Sequence, residues 1–193
     1  MPGAGNQAIA LNLIHWLENH SEITADTTTI IFNISEFDRI DMPCDYNHPN
    51  ANKHFPLEDE FGFKWLTQNF VESQPPFNRL LQQNLGYDQI MFLNGMAIIS
   101  LINYIENNRY NYRILMLKDF IHKKDLAPQF VQDFLQSKKD TIVNFDNHWG
   151  MHEFCKFNGL LSEDKFHPSQ QANHLMAQHI NEHLLTQRNI RHA

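Results

Sequence analysis

Two stretches of this sequence read as strands, the first of them largely apolar and β-branched, and they restrict the fold more than any other feature. They are "TTTIIF" (Thr27–Phe32) and "YRILMLKDF" (Tyr112–Phe120). Runs of this kind suit strands covered on both faces, which is the situation in a parallel sheet. Parallel neighbours cannot be joined by a tight turn, so helices are expected between them. The sequence supplies those helices. "AIALNLIHWLENH" carries Ile9, Leu13, Trp16 and Leu17 at helical spacing, with Asn6 as N-cap. Residues Phe63 to Asn108 read as mainly helical, in "FKWLTQNFVES", "FNRLLQQNLG" and "IMFLNGMAIISLINYIENN". The last is apolar on most sides, as expected of a helix packed on a sheet.

Further on, Gln129 to Gln136 predicts a short helix, and "TIVNF" a short strand. "HWGMHEFCKFNGL" predicts a helix closed by Gly159 in the left-handed position that ends many helices. "SQQANHLMAQHINEHLL" is amphipathic, with Ala172, Leu175, Met176, His179, Ile180, His183 and Leu184 on one face. Residues 41–62 contain three prolines and read as a long loop. The alternation of strands and helices predicts one α/β domain with three layers, α/β/α, around a mostly parallel sheet.

Charge narrows the function. Against 15 Lys and Arg the chain sets 22 Asp and Glu, a net charge of −7, so attraction to nucleic acid or an anionic membrane is not expected. Cys44 and Cys155 are the two cysteines and form no CxxC pair, which argues against a cysteine zinc site or a disulfide scaffold. No apolar run is expected to reach the ~20 residues of a membrane span, and "MPGAGNQAIALNLIHW" lacks the pattern of a signal peptide. The expected compartment is the cytoplasm.

The element with most chemical content is "DKFHPS", Asp164 to Ser169. An acid three residues before a histidine can fix one ring nitrogen and leave the other free to take a proton, and it can equally cap a turn. The block "EDKFHPSQQANHLMAQHINEHL" resembles the C-terminal block of the SGNH/GDSL hydrolase family, and "GMHEFCKFNGLLSED" the helix and turn before it. "PGAGN" (Pro2–Asn6) is similar to that family's glycine loop, and "IIFNISEFDR" falls where its third block lies. The resemblance implies a flavodoxin-like fold and hydrolysis of a small ester, such as an O-acetyl group on a carbohydrate, by a Ser-His-Asp triad without cofactor or metal. His167 would be the base, Asp164 its orienting acid, and Gly3 with Asn33 or Ser35 the oxyanion hole. The family's Gly-Asp-Ser element does not occur in the sequence. Ser35 and Ser100 lie on no glycine-flanked elbow, so the nucleophile and the sheet's first strand are expected upstream of Met1.

Two other readings compete. A non-catalytic α/β scaffold would use the 41–62 loop as its contact surface. Twelve histidines include the pairs His148/His152 and His179/His183, which with Asp146 or Glu153 have zinc-ligand spacing. In a His-rich sequence such pairs also arise by chance, and no H-E-x-x-H is present.

Overall fold

The computed structural model describes residues 5–45, 63–69, 86–165 and 167–191. In chain order these form α1 (Asn6–Asn19), β1 (Thr29–Ile34), β2 (Arg39–Asp45), β3 (Phe63–Asn69), α2 (Tyr87–Asn107), β4 (Asn111–Met116), α3 (Gln129–Ser137), a 3-10 turn (Lys139–Thr141), α4 (Met151–Phe157) and α5 (Gln170–Arg191). The fold is mixed α/β. β1 and β4 pair in parallel from Thr29↔Asn111 to Ile34↔Met116. The bridges Ile114↔Ile142 and Met116↔Gly150, also parallel, extend the sheet beyond β4, so "TIVNF" contributes a bridge and not a full strand.

Alternate side chains of β4 serve two cores. Tyr112, Ile114 and Met116 join Ile30, Phe32 and Ile34 of β1 beneath α1, α2 and α3. Leu115 points the other way, into a cluster of Val143, Phe145, Phe154, Cys155, Ala172 and Met176 beneath α4 and α5. Ile98, Leu101, Ile102 and Ile105 of α2 are fully buried, and each such side chain contributes about 1.5–3 kcal/mol relative to exposure. The expected inner face of α5 is present, with Ala172 and Met176 buried and Leu175, His179, Ile180, His183 and Leu184 partly covered. Gly159 has φ +64°. The Leu160 N–H reaches back to Cys155 O at 2.8 Å, so the glycine closes α4 as the sequence suggests.

Several expectations are corrected. "FKWLTQN" is strand β3, paired antiparallel with β2 from Arg39↔Asn69 to Asp45↔Phe63. Its aromatics, Phe63 and Trp65, are two residues apart, the period of a strand. The expected 41–62 loop therefore begins inside a strand, and its remainder, with "FNRLLQQNLG", lies outside the described residues. β1 is not covered on both faces, because Ile31 is 42% exposed between buried Ile30 and Phe32. Among the described residues α2 alone is long and apolar enough to cross a membrane by length and composition; here its buried face packs on the first core.

Asn6 is not a cap. Gly5 holds the N-cap position of α1, and the fully buried Asn6 side chain reaches across to the exit of β1. Its Oδ1 accepts the Ser35 N–H at 2.8 Å, and its Nδ2 donates to Ser35 O at 3.1 Å. One amide thus satisfies both polar groups of a buried residue, which a local cap could not do. Asn94 of α2, also buried, braces the same turn by donating to Phe37 O at 2.8 Å and Arg39 O at 2.6 Å. Two asparagines from two helices therefore fix the backbone where β1 ends.

Candidate active site

The carboxyl end of a parallel sheet is where chains of this class gather polar side chains, and three groups meet that description. The first stands at the exits of β1 and β4. Glu36 forms ion pairs with Lys118 and, at 3.2 Å, with Arg39. Burial alone would raise its pKa, but the hydrogen bond and charge of Lys118, then Arg39, outweigh it and hold the carboxyl below its ordinary 4.5. Asp38 moves the opposite way, above 3.8, through burial and then the negative charge of Glu36.

The second group is the Asp164–His167 turn. His167 Nδ1–H donates to Asp164 Oδ2 at 2.5 Å, and the His167 backbone N–H donates to Asp164 Oδ1 at 3.0 Å. Ser162 Oγ is 2.7 Å from the same Oδ1, and the Ser162 N–H donates to His167 O at 2.8 Å. A single carboxylate thus closes the turn and orients the ring, so the two roles expected of it are compatible. Ser169 then caps α5, its Oγ accepting the Ala172 N–H at 3.1 Å. The pair is open to solvent, with the His167 side chain 80% exposed and that of Asp164 49%.

The direction of α5 locates this turn. His179 stands edge-on to Phe145 and Phe154. One helical turn later His183 lies near Arg113, at the start of β4, and near the Asp140 backbone. The helix therefore runs against β4, and its N-terminal end, with the Asp164–His167 turn before it, is at the carboxyl end of the sheet. Ser35 and Asn33 are at that same end. Ser35 is buried and its N–H is held by Asn6; Asn33 Oδ1 is buried and accepts no hydrogen bond from the described residues. Gly3 lies outside the described residues.

The third group was missed in the sequence. Asp119 and His122 repeat the D-x-x-H spacing just past β4. Asp119 Oδ1 accepts the N–H groups of Ile121 at 3.2 Å and His122 at 3.1 Å, and His122 Nδ1 lies 3.1 Å from both carboxylate oxygens. The Asp119 N–H donates to Glu153 Oε2 at 3.2 Å, and Glu153 also pairs with Lys123. Gly150 allows this junction. A Cβ there would sit 2.6 Å from the backbone of Lys118 and of Asp119. The strand signal of "YRILMLKDF" concealed the acid, because the observed strand stops at Met116 and frees Leu117–Phe120 to turn.

One histidine of each i, i+4 pair has a close neighbour. His148 packs on Phe157 with ring centroids 4.9 Å apart, and His179 is 3.4 Å from Asp146. Among the described residues no three His, Cys, Asp or Glu side chains converge as metal ligands would. Comparison of the chain with protein-family models, with curated proteins and with solved structures finds no match.

Proposed function

We propose that this chain carries the base and acid of an ester hydrolase, with His167 taking the proton of a serine nucleophile and Asp164 holding the imidazole. The observation that carries the reading is the 2.5 Å bond from His167 Nδ1–H to Asp164. It fixes the tautomer that leaves Nε2 as proton acceptor, the role of the base in a Ser-His-Asp triad. The reading takes the turn to act with Asn33 and Ser35, which stand at the carboxyl end of β1. Helices α1, α2 and α3 against one face and α4 and α5 against the other are consistent with a three-layer, flavodoxin-like arrangement of the SGNH kind. The half-open second face of β1, marked by Ile31, is consistent with a further strand–helix unit bringing the serine from outside residues 1–193.

Gly3 N–H with Asn33 or Ser35 would bind the oxyanion. Because the Ser35 N–H already donates to Asn6, Ser35 has its hydroxyl to offer and Asn33 its side-chain amide. The substrate class is a short acyl ester, such as an O-acetyl group on a carbohydrate. The test is fluorophosphonate labelling and deacetylase assay of the protein translated from the coding sequence extended upstream of Met1. A labelled serine, and a loss on His167→Gln approaching the ~10⁶-fold that accompanies removal of a triad member, is the expected result. A protein that neither labels nor hydrolyses supports the second reading, a binding scaffold, which the 80% exposure of the His167 side chain favours.

A further inference from the structure

Asp119 and His122 are built more firmly than the pair singled out by sequence. The Asp119 side chain is 16% exposed and His122 is 55% exposed, so the acid is shielded while the ring reaches solvent. Two backbone N–H groups hold the carboxylate from its own turn, and Glu153 of α4 holds the turn from across the sheet end. With Nδ1 turned to Asp119, Nε2 of the neutral ring is left as the proton acceptor. The Trp149 ring stands 6.2 Å away, at 47° to the imidazole. Lys118 is paired with Glu36 and Lys123 with Glu153, while Lys124 is exposed to solvent.

From this geometry we infer that Asp119–His122 is a second proton-transfer site, with His122 as general base for attack of water on a small uncharged ester resting against Trp149. Nε2 takes a proton as the water oxygen adds to the carbonyl carbon. The tetrahedral intermediate then expels the alcohol oxygen, which recovers that proton from Nε2. Ester and water become acid and alcohol, and the base is regenerated without a serine. The carboxylates of Asp119 and Glu153 behind the ring and an aromatic wall suit an uncharged acyl group better than a phosphate or a carboxylate. Asp119 is the positioning residue, since it touches the base and not the substrate.

The experiment uses the 193-residue chain with 4-nitrophenyl acetate at pH 7. The expected result is turnover faster than an equal concentration of free imidazole, slower in D₂O and unaffected by fluorophosphonate. His122→Gln lowers it about 100-fold, the lower range for a general base. His174→Gln, which removes an exposed ring elsewhere, leaves it unchanged. Asp119→Asn moves the ¹⁵N signals of the His122 ring from the Nδ1–H form to a tautomer mixture and lowers the rate, a signature a purely structural role would not give. If His122→Gln fails to fold by circular dichroism, the Asp119→Asn rate and spectrum decide alone. Unchanged turnover in His122→Gln overturns the inference, as does an accumulating acetyl-His122 adduct, which would make the ring a nucleophile. Turnover abolished by fluorophosphonate also overturns it and points to a serine site. Failure of the triad reading leaves this test intact, because nothing in it depends on His167.

Discussion

The turns at Asp119–His122 and Asp164–His167 are built on the same four-residue plan and differ in what surrounds them. In each, a carboxylate accepts the backbone N–H three residues on and the Nδ1–H of the ring at that position. The bonds within each turn are local, so sequence spacing alone generates the geometry twice. What differs is the support. Asp119 sits past β4, with its N–H held by Glu153 and its backbone pressed against Gly150. Asp164 leans on Ser162, two residues before it. Side-chain exposure follows, at 16% for Asp119 and 49% for Asp164. A D-x-x-H element thus encodes an oriented imidazole, while its shielding from water is set by elements distant in sequence. Shielding also governs electrostatic worth, because an exposed ion pair contributes little.

The most severe way to break this comparison is Gly150→Ala. The new Cβ would lie 2.6 Å from backbone atoms of Lys118 and Asp119 and 2.0 Å from Glu153 Oε2. The carboxylate can rotate away, but the backbone has to shift, and overpacking of this kind costs about 3 kcal/mol. Urea denaturation should show that loss, and amide exchange should speed up around Asp119 while the Asp164 turn keeps its protection. Next in size is the pair Asp119→Ala and Asp164→Ala. The first strands two backbone N–H groups in a partly buried turn and should cost about 2 kcal/mol. The second removes an exposed cap and ion pair and should cost under about 1 kcal/mol. Equal losses in urea melts would mean that the support from α4 contributes nothing.

The same contrast explains what was legible beforehand. The parallel strands could be read because runs such as Ile30–Phe32 and Ile114–Met116 are apolar, although Ile31 lies exposed on the second face. The face of α5 could be read because Ala172, Met176 and His179 follow helical spacing. "DKFH" stood out because Pro168 and the Ser169 cap isolate it. "DFIH" did not, since Asp119 continued an apolar run that looked like strand. Asn6 has the spacing of a local cap, whereas its partner at Ser35 is 29 residues away, a distance no local pattern reports. Phe63–Asn69 resembles a helix by composition although its aromatics alternate, because its strand character depends on pairing with β2.

Acidification should separate the two turns as well. His183 on α5 has its pKa lowered from 6.5, first by burial and then by the charge of Arg113. The folded protein therefore binds this proton less readily than the unfolded chain does. Its contribution to stability is present above pH 6.5 and is lost as pH falls through the lower folded value. Thermal melts between pH 7 and pH 5 should show falling stability with a slope that His183→Gln flattens. Hydrogen exchange at pH 5 should rise in α5 and the Asp164–His167 turn before it rises at Asp119. The reverse order would mean that α5 does not carry that turn.

The smallest effect tests the local half of the comparison. Lys165 lies inside the exposed turn with φ +60°, a left-handed conformation that is costly for a residue with a Cβ and easy for glycine. The positive-φ residues in the described chain do not include any from Asp119 to His122, so only the exposed turn carries this strain. Lys165→Gly removes the steric cost while giving the unfolded chain more freedom, and the two terms partly cancel. A net gain of about 0.5 kcal/mol remains expected, visible as a raised urea midpoint at an unchanged slope. The bond from His167 Nδ1–H to Asp164 should persist, because its acceptor and donor flank the substituted position and neither moves. A gain in stability with loss of that bond in the imidazole NMR spectrum would show that Lys165 holds the ring in place, and that the exposed turn stores strain to orient its histidine where the shielded turn uses α4.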